Sequence, residues 1–91
     1  EVEEVFDQNK GAIYALYNRA LRDNPALQGK LVLKLTIEPD GSVSSCEVVS
    51  SELKDPDLEG RLVGRVKLFR FEAKDTAATT ITKPLDFFPA N

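Results

Sequence analysis

The sequence predicts an α+β fold in two layers, with the element order α-β-β-α-β. Two stretches place apolar residues at three- and four-residue intervals, which indicates amphipathic helices. Two other stretches flank Asp40-Gly41, and the first alternates apolar and polar residues, as the strands of a hairpin do. The second helix falls between strands 2 and 3 and favours a crossover that leaves them parallel. We therefore expect a three-stranded antiparallel or mixed sheet in the order 2-1-3, with both helices on one face.

Length and composition indicate one globular domain over residues 1–91. Apolar residues make up 42% of the chain and charged residues 30%, which is ordinary for a soluble domain. The net charge of −3 gives no reason to expect nucleic-acid binding. There is no apolar run of about 18 residues and no visible signal peptide. Because the chain begins with Glu1, we expect a domain excised from a longer protein, with any anchor upstream.

The reactive residue types are few. Cys46 is the only cysteine, so no internal disulfide can form; a buried apolar role is expected, with an intermolecular disulfide or a reactive thiol as the alternative. Without histidine, the usual zinc ligand sets and Ser–His–Asp triads are missing. We therefore predict no catalytic residue, no metal, no cofactor and no enzyme activity.

The first helix is expected near residues 7–22. Asp7 or Asn9 could cap its start, and Asn24-Pro25 should stop it, since proline disfavours the helical conformation of the residue before it. Tyr14 and Tyr17 are interpreted as core and boundary residues rather than as a peptide groove. The apolar stripe comprises Ile13, Leu16, Tyr17, Ala20 and Leu21.

Residues on the two sides of Asp40-Gly41 are predicted to form a β-hairpin. In the first strand, "GKLVLKLTIEP", apolar and polar residues alternate, which predicts one buried face and one solvent-exposed face. The segment "PDGS" supplies the turn. The second strand, "VSSCEVVSS", loses its apolar phase between Val43 and Val48, which predicts a bulge or a shortened pairing.

The second helix carries a clear start signal. Asp55 is placed at the N-cap and Pro56 at the first helical position. Gly60 and Gly64 indicate either close packing on another element or a weak helix. The predicted buried stripe is Leu58, Leu62, Val66 and Phe69.

The closing strand is expected from about Thr79 to Phe88, on an edge of the sheet, because proline in sheets is confined mostly to edges and bulges. With Ile81, Leu85 and Phe87 facing the core, the alternate residues face the other way. Two interpretations stay open. An extended peptide could pair with this edge, or Pro84 and Asp86 could blunt it so that nothing docks.

Charge is distributed unevenly along the chain. Residues 1–60 hold 12 acidic and 6 basic residues, whereas residues 61–91 hold 3 acidic and 6 basic. The basic residues could attract acidic partner segments or lipid head groups, or could simply complement the negative end of a helix dipole. The cluster consists of Arg61, Arg65, Lys67, Arg70 and Lys74.

Several of these features together resemble a known family. "LQGKLVLKLTIEPDGSVSSCEVVSSEL", then "LVGRVKLFRF" with Phe69-Arg70-Phe71, then "PLDFF", is similar to the C-terminal domain of TonB-type energy transducers. The chain most resembles the adventurous-gliding-motility subgroup, over roughly residues 10–89. Phe69 stands where the family has tryptophan, and the Tyr-Pro entry of TonB domains is replaced by "IYALYNRAL".

The resemblance implies a periplasmic domain held to the inner membrane by an upstream segment and driven by a proton-motive-force motor. Such domains take up an extended segment of an outer-membrane or periplasmic protein on the sheet edge, in transport or in gliding motility. The alternative is self-association, as a homodimer or by strand swapping. The candidate partner-binding residues are Thr80, Thr82, Lys83, Pro84, Asp86, Phe88 and Arg70.

Overall fold

The computed structural model describes residues 2–75 and 77–89 and shows an α+β fold with three helices and one three-stranded sheet. The helices and strands are α1 (Val2–Gln8), α2 (Lys10–Leu21), β1 (Gly29–Ile37), β2 (Val43–Ser51), α3 (Pro56–Val66) and β3 (Thr79–Phe87). Across these described residues, no helix is both long and apolar enough to cross a membrane.

The predicted first helix is in fact two helices separated at Asn9. The backbone N–H of Asn9 donates to the carbonyl oxygens of both Val5 and Phe6, and its side-chain amide also donates to Val5. The side chain therefore serves the end of α1 and makes no capping bond to α2. The predicted start at residue 7 was wrong because Val5 and Phe6 are buried, at 9% and 4% exposure, and this burial extends the helix toward the N-terminus.

The hairpin prediction is confirmed. The carboxylate of Asp40 accepts hydrogen bonds from the backbone N–H and the hydroxyl of Ser42, at 2.9 and 2.6 Å, and Gly41 has a φ of +90°. Two register shifts interrupt the pairing of β1 with β2, leaving Ser44 and Val49 as extra residues on β2. The predicted irregularity thus takes the form of two bulges.

Helix α3 begins as predicted. The carboxylate of Asp55 accepts from the backbone N–H of Leu58 at 3.1 Å, and Pro56 occupies the first helical position. A Cβ atom added at Gly60 or Gly64 would meet nothing within 4 Å, so the close-packing interpretation of these glycines is wrong. The four residues of the predicted stripe are all buried: Leu58, Leu62, Val66 and Phe69.

The sheet order is β2-β1-β3, as predicted, and β1 is antiparallel to both neighbours. One face of β1 buries Leu31, Leu33 and Leu35 completely, and these side chains join buried residues of the helices in a single core. The opposite face carries polar or partly buried residues. Tyr17 and Phe87 are the largest fully buried side chains, and their ring centroids lie 5.0 Å apart.

Residues 70–74 form a strap across the hairpin turn that sequence reasoning did not predict. Arg70 makes an isolated antiparallel bridge with Ser42, and the N–H of Phe71 donates to the carbonyl oxygen of Gly41 at 2.8 Å. The N–H of Lys74 then donates to the carbonyl oxygen of Pro39, also at 2.8 Å. The strap leads the chain from α3 around the end of the hairpin toward β3.

Candidate functional site

The candidate site is the edge of the sheet formed by β3. All nine residues of β3 pair with β1 without any register shift. No strand within residues 2–75 and 77–89 pairs with the other side of β3. The predicted edge position of the closing strand is therefore confirmed.

The register shows which backbone groups of β3 point away from β1. The carbonyl oxygen of Lys30 accepts from the N–H of Glu52, on the β2 side. The backbone N–H and C=O groups of even-numbered β1 residues therefore point toward β2, and those of odd-numbered residues point toward β3. In an antiparallel ladder the N–H and C=O of one residue point to the same side. The outer edge of β3 therefore consists of the backbone groups of residues 80, 82, 84 and 86.

Pro84 lies opposite Val32, at one of these outward positions. Its ring nitrogen points away from β1, so the missing N–H removes no bond of the existing sheet. For the same reason it removes one donor from the outer edge. Pairing along this edge can use the N–H and C=O groups of Thr80 and Thr82, but only the C=O of Pro84.

At the C-terminal end of β3, the outer edge already accepts a hydrogen bond from a side chain of the same chain. The phenolic hydroxyl of Tyr14, on α2, donates to the backbone carbonyl oxygen of Asp86 at 2.8 Å. The Tyr14 ring packs against Phe87 with centroids 5.5 Å apart, and the Lys10 ammonium lies 5.8 Å from the centre of the Tyr14 ring. Sequence reasoning missed this role of Tyr14, because only the register shows that the Asp86 carbonyl faces outward.

The candidate side chains on β3 divide between the two faces of the sheet. Thr80 lies on the open face, where its hydroxyl is 3.1 Å from that of Thr36. Thr82, Pro84 and Asp86 alternate with inward-facing residues along the strand and lie on the same open face. Phe88 follows the end of β3 and is 62% exposed.

Lys83 lies on the helix side instead. Its ammonium contacts the Glu3 carboxylate at 2.7 Å and lies 5.4 Å from the centroid of the Phe6 ring. The Lys83 side chain is only 15% exposed. Lys83 therefore belongs to the packing between α1 and β3, on the opposite face from Thr80 and Thr82.

Arg70, the remaining candidate, lies apart from the β3 residues. It is exposed and bridges to Ser42, the residue just before β2, and β2 is the strand on the opposite edge of the sheet. Its positive charge also helps to lower the pKa of Asp40, after the larger contributions of the hydrogen bonds from Ser42. The structure does not bring Arg70 together with Thr80 and Thr82.

The β2 edge offers a poorer surface for pairing. Ser44 and Val49 form bulges that interrupt the pairing of β2 with β1. Arg70 already bridges to Ser42, the residue just before β2. Bulges twist an edge and interrupt the regular spacing of its donors and acceptors. The two edges are therefore unequal, and β3 is the regular one.

Two small cavities flank the helix side of β3. One, of about 110 Å³, is lined by residues that include Val2, Ile37, Phe71 and Ile81. The other, of about 90 Å³, lies between the helices and the far end of β3. Its lining residues are Phe6, Asp7, Lys10, Ile13, Tyr14, Lys83, Leu85 and Phe87.

The basic residues predicted to cluster after residue 60 lie on α3 and on the segment that follows it. Arg61 pairs with Asp57 at 3.1 Å on the exposed side of α3, an arrangement that contributes little at a surface. Within the described ranges, no group of three or more His, Cys, Asp or Glu residues is arranged to hold a metal ion.

No family model, no curated protein and no solved structure matches this chain.

Proposed function

We propose that this chain is a non-catalytic protein-binding module that takes up an extended segment of a partner protein on the outer edge of β3. The main observation in support is the regular nine-residue pairing of β3, which leaves the N–H and C=O groups of Thr80 and Thr82 pointing outward. An added strand would form main-chain hydrogen bonds with these groups. The partner segment is here called the guest segment.

The wider setting is proposed from the resemblance to TonB-type domains. In that setting the module belongs to a TonB-like energy- or force-transducing protein in the periplasm, anchored to the inner membrane through an upstream segment. It couples a proton-motive-force motor to an outer-membrane or periplasmic partner, in transport or in gliding motility. The observed α+β fold with sheet order β2-β1-β3 is compatible with this proposal.

The expected affinity is modest. Each main-chain hydrogen bond contributes a net free energy of about 0.5–1.5 kcal/mol, and ordering the guest segment offsets part of that. A few such bonds correspond to dissociation constants in roughly the micromolar to millimolar range. Weak binding of this kind suits a contact that must form and release repeatedly.

A titration followed by amide NMR tests the proposal. The probe is a synthetic nine-residue peptide that alternates threonine and valine, with a lysine at each end for solubility. We expect the largest shifts at residues 79–85 and slower amide exchange at Thr80 and Thr82. Shifts confined to α2 and α3, with β3 unchanged, would contradict the proposal.

A pair of variants at position 82 provides the matched control. Thr82→Pro removes one outward N–H, as Pro84 does natively, without removing a bond to β1. Thr82→Val removes the hydroxyl but keeps that N–H. We expect Thr82→Pro to weaken peptide binding by about threefold to tenfold and Thr82→Val to leave it unchanged. The amide spectrum of each variant verifies the fold, and Thr80→Pro provides a second test if Thr82→Pro unfolds.

A second candidate function is self-association through the same edge. Two copies related by a twofold axis at Ile81 would pair Thr80 of one copy with Thr82 of the other, and Pro84 would lie outside these four bonds. Sedimentation over a range of concentrations distinguishes the two functions. A monomer at the highest concentration reached would remove this candidate and leave the first intact.

A further inference from the structure

The outer edge of β3 is divided into two unequal parts. Thr80 and Thr82 each present both a donor and an acceptor. Beyond them, Pro84 lacks its donor, and the Asp86 carbonyl already accepts from the Tyr14 hydroxyl at 2.8 Å. These last two positions limit how far a guest segment can pair.

The Tyr14 hydroxyl bonds to the carbonyl oxygen that a guest backbone N–H opposite Asp86 would use. Backbone N–H donors lie about 2.9 Å from the carbonyl oxygen that they contact, and the Tyr14 oxygen lies 2.8 Å from that of Asp86. A guest N–H that donates to the same lone pair of this oxygen would have to displace the hydroxyl. It would then exchange one hydrogen bond for another and gain little.

The surroundings of Tyr14 hold it in this position. Its ring contacts Tyr17 and Phe87, with centroid distances of 6.4 and 5.5 Å, and both of those residues are fully buried or nearly so. The Lys10 ammonium lies on the ring at 5.8 Å from its centroid. The hydroxyl is therefore presented to β3 by a packed helix rather than by a freely rotating side chain.

We infer that Tyr14 is a specificity-determining residue that sets the register of the guest segment, which pairs along residues 80–84 and stops before Asp86. This inference rests on the proposed function. It narrows the partner to a short extended segment of about five residues, one opposite each of positions 80–84. Pro84 limits the pairing at the same end, and Tyr14 ends it.

Hydrogen exchange at the Asp86 amide tests the inference, because that N–H also points outward. With the threonine–valine peptide bound to the unmodified chain, we expect exchange at Thr80 and Thr82 to slow by at least about tenfold and exchange at Asp86 to be unchanged. In Tyr14→Phe, the same peptide should also slow exchange at Asp86 and bind about twofold to tenfold more tightly. Ala15→Ser, an exposed change on the same helix that keeps the Tyr14 hydroxyl, should behave like the unmodified chain.

The outcomes separate the inference from the function on which it rests. Protection of Asp86 in the unmodified chain, or its absence in Tyr14→Phe while Thr80 and Thr82 are protected, would overturn the role of Tyr14 and leave strand addition standing. No protection at any of the three amides in either protein would overturn the proposed function and the inference with it.

Discussion

The phenolic hydroxyl of Tyr17 donates a hydrogen bond of 2.5 Å to the backbone carbonyl oxygen of Leu27. Tyr17 is fully buried and Leu27 is 2% exposed, so water cannot replace this bond. The contact joins α2 to the segment that enters β1, and it positions the helix that carries Tyr14 against the sheet.

Removing that hydroxyl should destabilise the fold. Tyr17→Phe leaves the buried Leu27 carbonyl without its donor, and we expect the free energy of unfolding to fall by about 1–3 kcal/mol. Urea denaturation followed by circular dichroism measures the change. Tyr14→Phe is the matched control, because its acceptor lies at an exposed edge, and it should lose less than about 1 kcal/mol. Equal losses in the two variants would argue against the importance of burial at Tyr17.

Alanine substitutions at two of the glycines should change the stability of the fold in opposite directions. Gly41 has a φ of +90°, and a Cβ there would lie 2.0 Å from the carbonyl oxygen of Phe71, so Gly41→Ala should destabilise by more than about 2 kcal/mol. Gly64 is helical with open space around it, so Gly64→Ala should stabilise by about 0.5–1 kcal/mol. Thermal denaturation of the two variants measures both changes. A tolerated Gly41→Ala would contradict the close contact between the turn and the strap.

The carboxylate of Asp40 in the hairpin turn should make the stability of the fold depend on pH. The hydrogen bonds from the Ser42 side chain, and then from its backbone, hold the pKa of Asp40 below its usual 3.8. A lowered carboxyl pKa stabilises the fold above the unfolded value of 3.8, and this contribution is lost as the pH falls through the folded pKa. In Ser42→Ala the pKa of Asp40 should rise toward 3.8, as followed by NMR of the carboxyl carbon. Ser44→Ala, which removes a hydroxyl bonded to Glu38, should leave the Asp40 titration unchanged.

The single thiol should react only when the domain opens. Cys46 is 7% exposed, and burial raises the pKa of its thiol above 9.0, with Lys67 opposing and Glu47 adding to the shift. We expect a thiol reagent at neutral pH to modify the folded protein at a rate that rises with urea in step with unfolding. A variant combining Cys46→Ala with Ser45→Cys places the thiol at an exposed neighbour and should react at once. Fast modification of the native chain would show that Cys46 is accessible.

Local patterns predicted the parts of the fold that depend on near neighbours in sequence. The Asp55-Pro56 helix start and the Asp40-Gly41 turn involve residues within a few positions of one another, and both were confirmed. Pro84 correctly indicated the edge strand, because its effect on a sheet is a property of its own ring. The apolar phase loss along β2 correctly indicated irregular pairing.

The features that sequence reasoning missed depend on contacts that are distant in the chain. The strap pairs Phe71 with Gly41, and the stop at the edge pairs Tyr14 with Asp86. Neither bond leaves a periodic trace, since each has as its acceptor a backbone carbonyl oxygen, a group that every residue carries. Lys83 interrupts the apolar alternation of β3, but only the fold shows that its ammonium lies between Glu3 and Phe6.

The inequality of the two sheet edges limits the size of any assembly built through them. Endless fibres grow when each subunit offers one adhesive rim to the molecule ahead and another to the molecule behind. Here Ser44 and Val49 distort one rim, so only the β3 rim is fit for such growth. Lateral joining should end once that rim is filled, and the domain is thereby guarded against polymerising.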